Sequence, residues 1–153
     1  MQDNQIYYKN LPKKRVASGV LFFNDKKEIL IVKPNYREDW LLPGGIVEVE
    51  ESPIECGIRE TKEEIGLDVK IEKLLCVHFV KSGKRPEKIV FVFYGGILSE
   101  TQIKNIKIQK DEIDEYRFVK PEETEPFLGE RRFQRTLKCL EALKNNTVAY
   151  LEN

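Results

Sequence analysis

No part of this chain leaves the backbone fewer choices than residues 43–67. Pro43-Gly44-Gly45 interrupts regular structure, and two adjacent glycines let the main chain approach a ligand closely. Ser52 then supplies an N-cap with Pro53 in the first helical position, and Ser52-x-x-Glu55 has the spacing of a capping box. Gly66 suits the left-handed residue that ends a helix. The expected helix runs from about Pro53 to Ile65, with Ile54, Gly57, Ile58, Thr61 and Ile65 as its buried side at spacings of three and four. Glu60, Glu63 and Glu64 fall off that stripe and share a face, since Glu60 and Glu64 are one turn apart. Carboxylates so placed repel and weaken an isolated helix. Such a cluster calls for a compensating cation, and hard oxygen ligands suit Mg²⁺ or Mn²⁺. The competing reading is a solvated glutamate face held by ion pairs.

The remaining chain reads as strands around two helices. Residues 16–23, rich in β-branched and aromatic side chains, and residues 28–32 flank a polar turn and form an expected hairpin. Residues 34–39 make a charged loop, 40–42 a short apolar segment and 46–49 a brief strand. Residues 69–80 and 88–98 are expected as longer strands joined by a basic loop, and Gly95-Gly96 marks a bulge or bend. Residues 104–110 form a basic loop or edge strand, 111–115 an acidic run and 116–119 a short strand. Pro121-Glu122-Glu123 opens a helical turn. Phe133, Leu137, Leu140 and Lys144 trace one stripe of a terminal helix, and residues 148–151 add a last strand. The alternation predicts either an α+β arrangement or an α/β/α sandwich.

Composition narrows the function. The 153 residues fit one domain, and 26 basic against 26 acidic side chains give zero formal charge. That balance argues against a dominant nucleic-acid footprint. Cys56, Cys76 and Cys139 make neither a disulfide framework nor a zinc pattern, and free thiols in a reducing cytosol are expected. Residues 1–10 lack the apolar core of a secretion signal, and no stretch approaches a membrane span. His78, the only histidine, sits in an apolar strand-like run, which removes support for histidine zinc sites and Ser-His triads.

Gly45, five residues, Glu51, seven residues, then Arg59-Glu60-Thr61-Lys62-Glu63-Glu64-Ile65-Gly66-Leu67 resembles the Nudix box, G-x5-E-x7-R-E-U-x-E-E-x-G-U, over 23 residues. Thr61, where the family has a bulky aliphatic residue, is the one departure. Residues 40–45 resemble the family's aromatic-x-x-P-G-G approach to the box. The resemblance is to MutT-like Nudix hydrolases and implies a single domain over residues 1–153, with the Nudix α/β/α sandwich and a mixed sheet. It also implies Mg²⁺- or Mn²⁺-dependent hydrolysis of a nucleoside diphosphate linked to another moiety. Glu60 and Glu64 are the first candidate metal ligands, and Glu63 is a third ligand or the general base. The Gly44 carbonyl, carried over from the family, completes the coordination. Arg59 can pair with Glu63, and Glu51 can bind Arg59 or reach the metal through water.

Other assignments are more open. Relatives differ in the base, and some take it from a loop outside the box. Asp111 and Glu112 sit where relatives place a base or a nucleobase contact, against the alternative of an exposed acidic turn. Arg37, Arg85 and Lys88 are candidate phosphate contacts, and Tyr36, Trp40 and Phe79 candidate stacking platforms. A nucleoside triphosphate cleaved to monophosphate and pyrophosphate is the first substrate reading. ADP-ribose or a nucleotide sugar is the second, and capping pyrophosphate on RNA 5′ ends a third. A nucleotide-sensing domain without catalysis is the alternative class, and an assembly protein the last. The expected setting is cytoplasmic, with a small nucleotide as partner, no membrane, and a homodimer as a common state of look-alikes.

Overall fold

The structure, a computed structural model, describes residues 2–81 and 83–153, so Met1 at the head of the polar 1–10 stretch lies outside it. Strand β1 (Arg15–Phe23) sets the architecture, because Val20, Leu21, Phe22 and Phe23 are consecutive and all buried. Successive strand side chains point to opposite faces, so such a run needs a layer on each side. Leu21 and Phe23 join one core with Ile29 and Ile31 of β2 (Ile29–Pro34). Val20 and Phe22 join a second with Leu30 and Val32. Helix α5 (Glu130–Asn145) closes the first core through Cys139, and α2 (Pro53–Ile65) closes the second through Ile65. The result is the expected α+β chain built as an α/β/α sandwich.

The sheet runs β6 (Ile113–Val119), β2, β1, β5 (Lys88–Ile97), β4 (Lys73–Val80) and β7 (Ala149–Glu152). It is mixed: β1 pairs with β5 and β4 with β7 in parallel, and the other pairs are antiparallel. The expected hairpin is shallow, since β1 and β2 meet in register only at Phe23 and Ile29. On its other edge β1 pairs with β5 from Arg15 to Phe23, and Ala17, Ser18 and Gly19 take β3 (Gly44–Ile46) as their partner in place of β2.

Several expectations shift. The brief strand is β3, not 46–49, and the glycines lie inside it. A Cβ on Gly44 would stand 2.0 Å from the Ser18 carbonyl oxygen, so the missing side chain permits pairing rather than preventing it. Strand β4 starts at Lys73, while Val69 and Ile71 pack on the second core as loop. Strand β6 starts at Ile113, three residues earlier than expected. Gly95-Gly96 does make a bulge, where the β1–β5 register skips. Helix α1 (Gln2–Asn10) was not expected, nor was α3 (Glu100–Lys104), although α3 has its own capping box from Ser99 and Gln102. A 3-10 turn at Pro121–Glu123 and α4 (Glu125–Leu128) lead into α5. The buried stripe of α5 is Thr136, Cys139 and Ala142, while Lys144 is exposed. Small residues on that stripe let the helix sit close to β4.

Helix α2 has the predicted bounds, capping box and left-handed Gly66. Its buried side differs: Cys56, Gly57, Thr61, Glu64 and Ile65 face inward, and Ile54 is exposed. Gly57 explains the rotation, because a Cβ there would meet Ile71 at 2.9 Å and Val20 at 3.0 Å. Thr61 fits because its hydroxyl donates to the Gly57 carbonyl at 2.7 Å. Among the described residues no helix is long and apolar enough to cross a membrane.

Candidate active site

Arg59 organises the acidic half of the site. Its Nε donates to Glu51 Oε1 at 2.6 Å and its Nη2 to Glu51 Oε2 at 3.0 Å. This fork-on-carboxylate geometry is the strong form of the pair. Glu51 also accepts from the Glu48 N–H at 2.9 Å, and these contacts, the Arg59 bonds first, hold its pKa down at about 2. Arg59 Nη1 donates onward to Glu60 at 2.8 Å and Glu63 at 3.1 Å. One guanidinium thus ties the turn before α2 to the glutamate face. Of the two readings of Glu51, the structure places it on Arg59.

Glu60 and Glu64 lie deeper. The Glu60 carboxylate sits under Gly45, where an added Cβ would stand 2.3 Å from its Oε1. Burial raises its pKa, against the pull of Arg59. Glu64 is 6% exposed, which overturns the expectation that all three glutamates lie off the buried stripe. Its Oε1 accepts from the Gly44 N–H at 3.3 Å, and its Oε2 is buried with no hydrogen-bond partner among the described residues. Desolvation first, and the Glu60, Glu112 and Glu63 charges after it, push its pKa up to about 9. A buried carboxylate oxygen without a donor is costly unless a cation or proton meets it.

Among the described residues, no three His, Cys, Asp or Glu side chains converge as a ready metal centre. Arg59 draws Glu60 and Glu63 to itself, so the expected cage of three glutamates is not assembled. The donor chemistry still fits a hard divalent cation. Glu64 offers an unsatisfied oxygen, Glu60 is close enough to repel it, and both are hard carboxylate ligands.

Beside these carboxylates opens a cavity of about 470 Å³, bordered by Ser18, Gly19, Gly44 and Gly45. Of the predicted substrate contacts, Arg37, Arg85, Lys88 and Tyr36 line it. Trp40 does not: it is buried, packed edge-to-face on Phe127 at 5.6 Å, with the Arg117 guanidinium 5.0 Å over its ring. Its apolar body is worth more in the core than on a ligand, so it is no platform for a base. Phe79 lies outside the lining as well, beneath Lys14. Glu112 is exposed yet close enough to raise the pKa of both Glu60 and Glu64. Asp111 is exposed, with its carbonyl accepting from Asn35 at 2.7 Å, and does not line the cavity.

Sequence reasoning missed four lining cations: Arg15, and Arg131, Arg132 and Arg135 of α5. The signal was present, since positions 131, 132 and 135 share one face of a helix. His78 is structural: it is buried, 2.7 Å from Asn153 Oδ1, with its pKa lowered chiefly by desolvation. The three cysteines are free and buried.

The sequence model of the NUDIX domain family matches residues 13–139. A putative ADP-ribose pyrophosphatase of Bacillus subtilis is 41% identical over 66 residues, covering 43% of this chain and 30% of that protein. Diphosphoinositol polyphosphate phosphohydrolase 3-alpha of Mus musculus is 35% identical over 81 residues, covering 52% and 49%. This chain spans less than half the length of these curated relatives. The crystal structure of a MutT protein from Methanosarcina mazei superimposes with a TM-score of 0.74 at 25% identity, covering 88% of this chain and 99% of that one.

Proposed function

The chain belongs to the NUDIX domain family, and on that premise we propose that it is a pyrophosphohydrolase that cleaves the phosphoanhydride of a nucleoside diphosphate derivative. The observation that carries this is Glu64 Oε2, a buried carboxylate oxygen without a partner, next to Glu60 and at the edge of a cation-lined cavity. Glu60 and Glu64, with Glu63 and the Gly44 carbonyl, would hold Mg²⁺ or Mn²⁺. That ion would neutralise phosphate charge and make bound water a better nucleophile. The chain's own groups do the rest. Arg37 and Arg85 draw the phosphates into the cavity, and the side-chain-free Gly44-Gly45 backbone lets them come close. Arg59, locked by Glu51, fixes Glu60 and Glu63. Water attacks one phosphorus, the bond to the bridging oxygen breaks, and the proton passes to Glu63 or, from the neighbouring loop, to Glu112.

A nucleoside triphosphate, released as monophosphate and pyrophosphate, is the substrate we favour, because the lining is rich in cations and, among the described residues, holds one aromatic residue, Tyr36. The ADP-ribose reading is supported by the Bacillus subtilis relative's name. We further propose Asp111 as no more than an outer contact, a single functional unit over the whole chain, a cytosolic setting consistent with free thiols, and a homodimer. The experiment is a panel of nucleoside triphosphates, ADP-ribose, nucleotide sugars and dinucleotides with Mg²⁺ or Mn²⁺, reading both products. Metal-dependent release from any of them, lost in Glu64→Gln, supports hydrolysis. Inertness across the panel with tight binding would make this a nucleotide sensor instead.

A further inference from the structure

The cavity has two unlike walls. One carries the glycines and adjoins the glutamates. The other carries Arg131, Arg132 and Arg135 from α5, Arg15 from β1 and Lys88 from the start of β5, with Arg37 and Arg85 joining from loops. Among the described residues no carboxylate lines the cavity. Among the described residues, Asp39 offsets part of this charge, 3.1 Å from Arg132 and 3.4 Å from Arg37. Arg15 spends its donors on the Pro86 carbonyl at 3.0 and 3.1 Å. Lys88 and Arg135 have no carboxylate partner among the described residues, and Arg135 points a nitrogen 3.4 Å from His78 Nδ1. Arg37 Nε is buried with no hydrogen-bond partner among the described residues. Burial and then mutual repulsion, from Arg135, Arg132, Arg15 and Arg37 in that order, lower the Lys88 pKa to about 8. Burial first also lowers Arg132 and Arg135. Cations crowded in this way are an anion site in waiting, because a bound polyanion relieves the repulsion as well as adding attraction.

We propose that Lys88, Arg131, Arg132 and Arg135 form a second anion subsite that binds phosphate groups beyond the cleaved anhydride, so that the preferred substrate is a pyrophosphate compound carrying further phosphates. The proposal rests on the phosphoanhydride reading above and deepens it. A two-phosphate compound such as ADP-ribose would present both phosphates at the glutamate wall and leave this subsite unfilled. A compound with a longer phosphate chain or a second phosphate cluster would fill both.

The test separates binding from turnover. The full chain in EDTA is titrated with inorganic tripolyphosphate at low salt, as wild type, Arg131→Gln, Lys88→Gln and Lys88→Arg, with melting curves to check folding. Each glutamine variant is expected to bind roughly tenfold more weakly, the scale of one charge-assisted contact. Wild-type affinity should fall as pH rises from about 8, as Lys88 loses its proton, and Lys88→Arg should restore a flat profile. In turnover with Mg²⁺, Arg131→Gln should raise KM for adenosine 5′-tetraphosphate about tenfold relative to KM for ADP-ribose. Tripolyphosphate affinity that ignores both glutamine variants overturns the subsite. So does an equal loss on both substrates, which would put these cations at the cleaved anhydride itself. Absence of turnover on every phosphoanhydride, with tripolyphosphate binding still dependent on Lys88 and Arg131, would sink the hydrolase reading and leave the subsite standing.

Discussion

Gly44 and Gly45 are neighbours in one strand, yet adding a methyl group to each should do opposite things. At Gly45 the new Cβ would lie 2.3 Å from Glu60 Oε1, 2.4 Å from its Cδ and 3.0 Å from its Cγ, and its three nearest contacts all belong to that side chain. A flexible carboxylate can retreat, and it must move by roughly 1 Å to reach ordinary van der Waals separation. Folding should therefore change by less than about 1 kcal/mol, since alanine also narrows the unfolded ensemble. Turnover should fall on the order of a hundredfold, the usual effect of displacing a reacting group by that distance. At Gly44 the Cβ would lie 2.0 Å from the Ser18 carbonyl oxygen and 2.8 Å from the Gly19 Cα, both backbone. No rotamer relieves that clash, so β3 must separate from β1, at a cost of about 3 kcal/mol or more. For a chain of this size that is a drop in Tm of roughly 6–12 °C. Thermal melts and Mg²⁺-dependent phosphate release on Gly44→Ala and Gly45→Ala decide the matter. Full activity in Gly45→Ala would show that the Glu60 position does not matter to the reaction. Equal melting losses in the two variants would show that Gly45 is a structural residue only.

Three further outcomes follow from the same geometry. Glu64→Gln should fold normally and lose several orders of magnitude in turnover, because the neutral amide keeps the shape but not the charge for a cation; retained wild-type activity would remove Glu64 from the site. Glu51 is held below its unfolded value of 4.5, at about 2, so its pairing with Arg59 stabilises the fold above pH 4.5 and is lost as pH falls through about 2. The melting temperature of Glu51→Gln should accordingly decline less than that of wild type across that acid window, and parallel curves would contradict the pairing. Trp40→Ala removes a side chain that is 9% exposed and should destabilise by about 3–5 kcal/mol. Its KM for nucleotides should hold in the folded fraction, whereas a selective rise in KM would return Trp40 to a stacking role.

What could be read in advance was what local chemistry decides. The bounds of α2 follow from Ser52, Pro53, Glu55 and Gly66, all within or next to the helix. The Glu51–Arg59 pair was one of two readings open for Glu51, and only the packed turn decides it. The burial of Glu64 was not legible, because it depends on Gly57 letting α2 settle onto Val20 and Ile71, which turns the helix about its axis. Apolar periodicity favoured Ile54 for the inside, and close packing at a glycine outweighed it. Strand β3 was misplaced for a related reason. Glycine reads as a breaker from sequence, but beside β1 it is what makes pairing possible. The terminal helix was anticipated, yet its apolar stripe drew attention away from the arginines at 131, 132 and 135.

The zero net charge of the chain was an honest sum and a poor guide to the site. It argued against a broad basic surface, but a sum says nothing about segregation. Helix α2 brings Glu60, Glu63 and Glu64 beside the Gly44-Gly45 wall of the cavity from one layer of the sandwich. Helix α5 brings Arg131, Arg132 and Arg135 to the other side from the opposite layer. Each half is desolvated first and internally repulsive second, and both effects raise the pKa of Glu64 and lower that of Lys88. Neither half cancels the other, because the sheet stands between the two helices and Arg59 and Asp39 satisfy only part of each. A ligand that relaxes both halves at once must bring positive charge to the glutamates and negative charge to the arginines. A polyphosphate carrying a divalent cation has that composition, so the two local excesses specify the same class of substrate from opposite sides.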